Sequence, residues 1–453
     1  MLVTTAPSES IDLSRRDLTL DLARVVCVLL VVVIHLLFVG VGPTADGGIA
    51  VSRPLEEQPW FWLATWFGQI MPLFFVVGGF ATATSLRSHR RRIRDRATAD
   101  RIFVHGRMLR LARPALPLFL FLAVVLVGAT VAGVDPALLD AVATGIGSPL
   151  WFLCAYLICQ LFAPLLLDRH ERAPRATLLV LFAAVVVVDV VQFTIPGVPR
   201  DPAGMSLLGY LNLLFVWPLV QQLGYWYADG WFARRAWWQL LLIAAVCWAA
   251  LVPLTAWGPY SLDMLTNLNP PTVPLVVLGL GQAALLQLLK TPLTALMRTR
   301  VARGIVYAVG SRLMTVYLWH LPLIIAVAGL TLVVPVLATV PGSAVWWATR
   351  PIAYLAVLAL VFVLSLGLGR FERAEPVTRP AVDGTLIAAA VVTIGTTAVI
   401  TIYGLELMNA VAAAVAFGIA VVLLRPGQRA LSRPDAAASD AEPEPEASAA
   451  ASG

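Results

Sequence analysis

The chain has 453 residues, of which 59% are apolar and only 13% charged, and its mean hydropathy is +0.84. That balance excludes a soluble globular enzyme and requires a chain that meets lipid along most of its length. Neither strand-type alternation nor a solenoid repeat runs through it, which argues against an outer-membrane barrel. The net charge of +6 follows from how its arginines are distributed, so it does not point to nucleic acid.

Residues 1–17 read as a short polar tail. Twelve apolar runs of membrane-spanning length follow, near 21–41, 60–84, 112–133, 149–168, 177–195, 206–227, 237–257, 273–289, 313–337, 351–369, 384–403 and 408–424. They predict an all-α polytopic bundle. The first run holds Asp21, Arg24 and His35. Asp21 and Arg24, three apart, can pair on one helix face. Eleven helical steps bring His35 back to within roughly 20° of the face of Arg24, about 16 Å further along the axis. Ionisable groups are costly at that depth, so an aligned Arg and His mark a candidate site; a buried structural His beside a topology anchor is the alternative. A His with an ordinary pKa near ~6.5 can take a proton from a hydroxyl at neutral pH.

After the second run comes the longest inner loop, 87–111, with His89-Arg90-Arg91-Arg92 and then Arg107-Met-Leu-Arg110-Leu-Ala-Arg113-Pro114. The upstream arginines read as membrane anchors. Arg107 and Arg110 share a face, and two planar forks held together suit a phosphate-bearing ligand or an anionic lipid head group. Pro114 favours a helix first turn, where free N–H groups attract anions. Further along, Asp189 in a valine run must face the bundle interior or a cavity, and helix–helix hydrogen bonding is the expected role of most of Gln69, Asp189, Gln192, Asn212, Gln282 and Gln287. The ninth run carries Tyr317-Leu-Trp319-His320-Leu-Pro322, a second histidine at bilayer depth. Cys27, Cys154, Cys159 and Cys247 all fall within runs and read as packing residues, with no metal-ligating set. Residues 426–453, rich in Ala, Pro, Glu, Ser and Asp, have the composition of a disordered tail.

With an inner N-terminus, 28 of the 32 Lys and Arg fall on inner segments and only Arg53, Arg200 and Arg350 on outer ones, with Arg312 at a border. The positive-inside rule then puts both termini in the cytoplasm. The chain is expected in the inner or plasma membrane as a multi-pass protein.

Leu20-Asp21-Leu-Ala-Arg24 followed by His35 resembles the first-span signature of the acyltransferase-3 family of bacterial membrane acyltransferases. Phe74-Phe75-Val-Val-Gly78-Gly79-Phe80 is similar to the family's Phe-Phe-x-x-Ser-Gly-Phe segment, with Gly78 where the family has Ser. Arg107-Met-Leu-Arg110 matches its Arg-x-x-Arg motif, Arg110-Leu-Ala-Arg113 being a second register. Trp151-Phe152-Leu, Pro164 and the Tyr317–Pro322 segment fit as well, although Leu313 stands where many members have Ser. The resemblance runs from about residue 15 to about 370. It implies a ten-helix acyltransferase domain over 18–370, two further spans in 371–425, and tails at 1–17 and 426–453.

What it implies chemically is an O-acyltransferase that moves an acyl group, acetyl above all, from acyl-CoA to a hydroxyl of a carbohydrate, lipid-linked sugar or small metabolite. On that reading His35 is the general base, or a transient acyl carrier. Arg24, oriented by Asp21, stabilises developing negative charge. His320 adds polarity to the same cavity. Arg107 and Arg110, helped by Arg113, grip the CoA phosphates. No cofactor is permanently bound, acyl-CoA being consumed; the partners are acyl-CoA, the hydroxyl acceptor and membrane lipid, not nucleic acid. The competing class is a twelve-span proton-coupled secondary transporter, against which stands the lack of a repeat relating the two halves. A lipid-binding scaffold leaves the Arg24–His35 alignment unexplained.

Overall fold

The computed structural model describes residues 17–43, 49–334, 337–373 and 377–425. The expected tails, up to residue 16 and over 426–453, lie outside the described residues. A two-stranded hairpin, β1 (Gly40–Pro43) against β2 (Ile49–Ser52), follows the first helix, and the rest of the regular structure is helical.

The first helix, α1 (Leu18–Phe38), begins where the Asp17 side chain accepts from the Thr19 N–H at 3.2 Å, and Asp17 also pairs with Lys290 at 3.0 Å. Its 21 residues cover about 31 Å, the thickness of a hydrocarbon core. The second expected span is broken. It consists of α2 (Phe61–Gly68) and α3 (Met71–Arg92), and Pro72 in the first turn of α3 lacks the N–H that a continuous helix would need. The break lets Gln69 turn away and donate to Met264 O at 3.3 Å.

Next comes α4 (Arg96–Val131), 36 residues capped by Asp95. Pro114 and Pro117 lie inside it, so the expectation of a helix start at Pro114 is corrected: α4 begins eighteen residues earlier, and no free N–H groups are available at Pro114. The fourth expected span divides into α5 (Pro136–Gly147), α6 (Leu150–Leu161) and α7 (Ala163–Arg172), and α8 (Pro174–Thr194) follows. A 3-10 turn, Leu208–Leu214, leads into α9 (Val216–Ala228), then α10 (Trp237–Ala256). Two helices meeting at 59°, α11 (Val273–Leu288) and α12 (Lys290–Leu296), precede the short amphipathic α13 (Arg300–Gly310). The chain continues through α14 (Leu313–Val333), α15 (Ala344–Glu372), α16 (Asp383–Tyr403) and α17 (Leu407–Leu423).

Among the described residues nine helical stretches are long and apolar enough to cross a bilayer, or ten if α11 and α12 count as one bent span. The sixth and twelfth expected spans correspond to α9, with 13 residues, and α17, with 17. At ~1.5 Å per residue these reach about 20 and 26 Å, short of a ~30 Å core. Length and composition therefore carry nine or ten crossings where the apolar runs suggested twelve.

The packing that positions the site is close. A Cβ on Gly79 would fall 2.2 Å from Gln221 O and one on Gly224 2.1 Å from Val76 O, so α3 and α9 touch backbone to backbone. Asp189 is buried, and its carboxylate accepts four hydrogen bonds. Gln192 and Asn212 donate to one oxygen, each at 2.8 Å; Tyr260 OH and Val273 N–H donate to the other at 2.9 and 3.0 Å. That is the expected helix-joining role, with α8, the 3-10 turn, the loop between α10 and α11, and α11 itself tied at one point. Gln282 likewise donates to Gln69 O at 2.7 Å. The last two helices pack on α4 and α6. Phe417 meets Phe119 at 4.7 Å between ring centroids, and the buried His105 of α4 contacts Leu424 O at 2.7 Å and accepts from Ala381 N–H at 3.1 Å.

Candidate active site

A cavity of about 790 Å³ follows α1 from Leu18 to Phe38, and α3, α4, α6, α13 and α14 also contribute to its walls. Asp21, Arg24, His35, Arg107, Arg110 and His320 all line it. Arg113, one turn beyond Arg110, does not. The cavity thus joins the first-span pair, the arginine motif and the late histidine, which are separated by up to 299 positions in the chain.

One end is cationic. Arg24, Arg107, Arg110 and Arg303 face Asp21 and Glu372 there, and the charge of Arg107 lies within reach of both Arg110 and Arg24. Arg24 Nε is buried with no hydrogen-bond partner among the described residues. A buried charged donor left unpaired is costly, and an anionic ligand would relieve it. The upstream arginines are used differently. Arg90 forks onto Asp100 at 2.7 and 2.9 Å and reaches Asp168 at 2.7 Å, while Arg87 pairs with Asp229 at 2.7 Å and Glu171 at 3.1 Å. These ion pairs join α3 to α4, α7 and the end of α9 and leave little cationic capacity for a ligand.

Further along α1 the two histidines meet. His35 Nδ1 is 2.8 Å from His320 Nε2, and the rings stack with centroids 5.0 Å apart. His320 Nδ1 faces two carbonyl oxygens, Tyr317 O at 2.7 Å and Val316 O at 3.1 Å. Carbonyls accept only, so Nδ1 of a neutral His320 carries the proton and its Nε2 is an acceptor. The proton between the rings then belongs to His35 Nδ1, which leaves His35 Nε2 with an open lone pair. His320 is fully buried, whereas His35 is partly exposed and lines the cavity. Tyr317 holds the start of α14 in place by donating to Pro149 O at 2.8 Å and packing on Phe152 at 4.9 Å.

Three further residues of the cavity escaped the sequence reading. Glu372, the last residue of α15, accepts from both the backbone N–H and the hydroxyl of Thr315, in the first turn of α14. A lone carboxylate between Arg370 and Arg373 at the end of an apolar run was the available signal. Tyr156 brings a phenol to the cavity, and a Cβ at Gly78 would stand 3.3 Å from its ring. Arg303 comes from α13, which the hydropathy reading treats as loop. No group of three or more potential metal ligands occurs among the described residues.

Comparison with protein-family models aligns residues 17–370, more than three-quarters of the chain, with the acyltransferase domain Acyl_transf_3. Neither curated proteins nor solved structures yield a match.

Proposed function

This chain belongs to the acyltransferase-3 family and is a multi-pass membrane acyltransferase; from that premise we propose that it transfers an acyl group, acetyl above all, from acyl-CoA to a hydroxyl, with His35 as general base. The observation that carries this reading is the His35–His320 contact in the same cavity as an arginine-lined end.

The acceptor hydroxyl gives its proton to His35 Nε2 while its oxygen attacks the thioester carbonyl. The tetrahedral intermediate collapses, the C–S bond breaks, and the departing CoA thiolate takes the proton back from Nε2. An ester and free CoA result. His320 acts as a positioning residue: it fixes the tautomer of His35 and accepts a stronger, charge-assisted hydrogen bond once His35 is protonated. Arg107 and Arg110 bind the donor phosphates from the cytoplasm. We assign Arg24 to the same task. The helix rise puts it about 16 Å from His35, too far for direct contact with an oxyanion formed there. Asp21 orients Arg24, and Arg113, off the cavity, serves as an anchor at the membrane border.

The test uses membranes containing the protein, radiolabelled acetyl-CoA and an extract of the source cells as acceptor. His35→Ala, at unchanged membrane level, is expected to lower transfer about 10²- to 10⁴-fold, the range for loss of a general base. Full activity in that variant removes the assignment.

A further inference from the structure

The cavity beyond His35 is chemically unlike the part before it. Its walls are Phe38, Leu55, Phe61, Leu265 and Leu268. Phe38, Leu55 and Phe61 form one buried cluster with Leu265 packed against it. Two further polar side chains of the cavity wall, Thr65 and Gln69, are both spent on backbone. Thr65 Oγ1 donates to Trp62 O at 2.6 Å and accepts from Met264 N–H at 2.9 Å. Gln69 donates to Met264 O at 3.3 Å, and its side-chain oxygen accepts from Met71 N–H at 3.4 Å. A sugar seated here would lose water from several hydroxyls, and the nearby cation, Arg53, which lies over the Phe38 ring at 4.9 Å, is already paired with Glu56 at 2.7 Å.

The donor, with its phosphates, belongs at the arginine end. The second substrate then approaches His35 from the apolar end. Resting on the acyl-transfer reading above, we propose that the acceptor is an alcohol with an apolar body, whose hydrocarbon part packs among Phe38, Phe61 and Leu265 while its one hydroxyl reaches His35 Nε2. The transferred group is correspondingly short, because the space past the imidazole is filled by the acceptor. The hydroxyl proton goes to Nε2, the C–O bond forms as the C–S bond breaks, and the proton leaves with CoA.

The protein in lipid nanodiscs is photolabelled with an aliphatic diazirine alcohol, with and without acetyl-CoA, and the labelled peptides are mapped. Label is expected on cavity-facing residues within 55–71 and 265–268, competed by 1-decanol and not by glucose. Leu265→Asn is expected to weaken labelling about tenfold, the scale on which an apolar pocket responds to a small change, with acetyl-CoA affinity unchanged. Label confined to lipid-facing side chains such as Phe67, or competition by glucose, overturns the proposal, as does displacement by octanoyl-CoA but not acetyl-CoA, which would give this region to the donor's acyl chain. If labelling holds but no acetyl transfer occurs in the membrane assay, the acyl-transfer reading is what has failed, and the acceptor role falls with it.

Discussion

Replacing His320 by Phe isolates the part of the mechanism that depends on histidine pairing. Phe keeps the ring volume in a fully buried place on α14 and removes the acceptor 2.8 Å from His35 Nδ1. In the ground state this costs one ordinary hydrogen bond. In the transition state His35 carries the acceptor's proton, and a charge-assisted bond contributes about 1.5–3 kcal/mol. Only the difference, about 1–1.5 kcal/mol, shows in kcat, which at about 1.36 kcal/mol per tenfold is expected to fall about 5- to 13-fold. The donor KM should stay near wild type, because the arginine end is untouched. His320→Gln retains an oxygen that can accept from Nδ1–H and should recover part of the loss. The assay is release of free CoA thiol, followed as a function of pH and donor concentration. Equal activity in the Phe variant and wild type would refute the tautomer argument, as would a Gln variant no better than Phe.

Other expected outcomes concern the donor end and the scaffold. Arg110→Lys keeps the charge and loses the fork, so acetyl-CoA titration should give a KM raised about tenfold or more with kcat little changed. Gly79→Ala drives a methyl against Gln221 O, and overpacking of about 1–3 kcal/mol should lower the thermal midpoint, whereas Gly128→Ala, with open space around it, should not. Asp189→Asn puts an amide N–H among four donors and should cost about 1–3 kcal/mol in a denaturation experiment. For Asp17, burial opposes ionisation, but hydrogen bonds from Thr19 and the Lys290 ammonium outweigh it and hold the carboxyl below its ordinary value. The stabilisation is therefore present above that value and lost as pH falls through the lowered one. Asp17→Asn keeps the cap acceptor but loses the Lys290 ion pair, so it should remove this acid-side loss and cost less than about 1 kcal/mol at neutral pH.

Much of this site is legible from residue spacing because a bilayer penalises every misplaced charge. Arg24 and His35 stand out in an apolar run, and helical geometry alone places them on one face, where the cavity is found. Arg107 and Arg110 are legible as a pair for the same reason. Arg113 has the same spacing from Arg110 yet lies off the cavity, because α4 turns it away. The meeting of His35 with His320 depends on how α14 packs against α1, and no local pattern contains that. Glu372 was masked by its basic neighbours, and Arg303 by the shortness of α13. The breaks after Gly68 and at Leu288–Lys290 escaped a window search because hydropathy averages across a kink as readily as along a straight helix.

The joint between α4 and the C-terminal pair has a mechanical consequence. His105 grips the chain just before α16 and just after α17, and Phe119 of the same helix meets Phe417. The helix that carries Arg107 and Arg110 is therefore splinted along its outer side by a segment beyond the family-matched region. The opposite rim is formed by the short α13, where Arg303 and Tyr307 line the cavity and are exposed. One wall of the mouth is braced from outside the matched domain, and the other is held by Val306 against Leu22 and Val25 of α1.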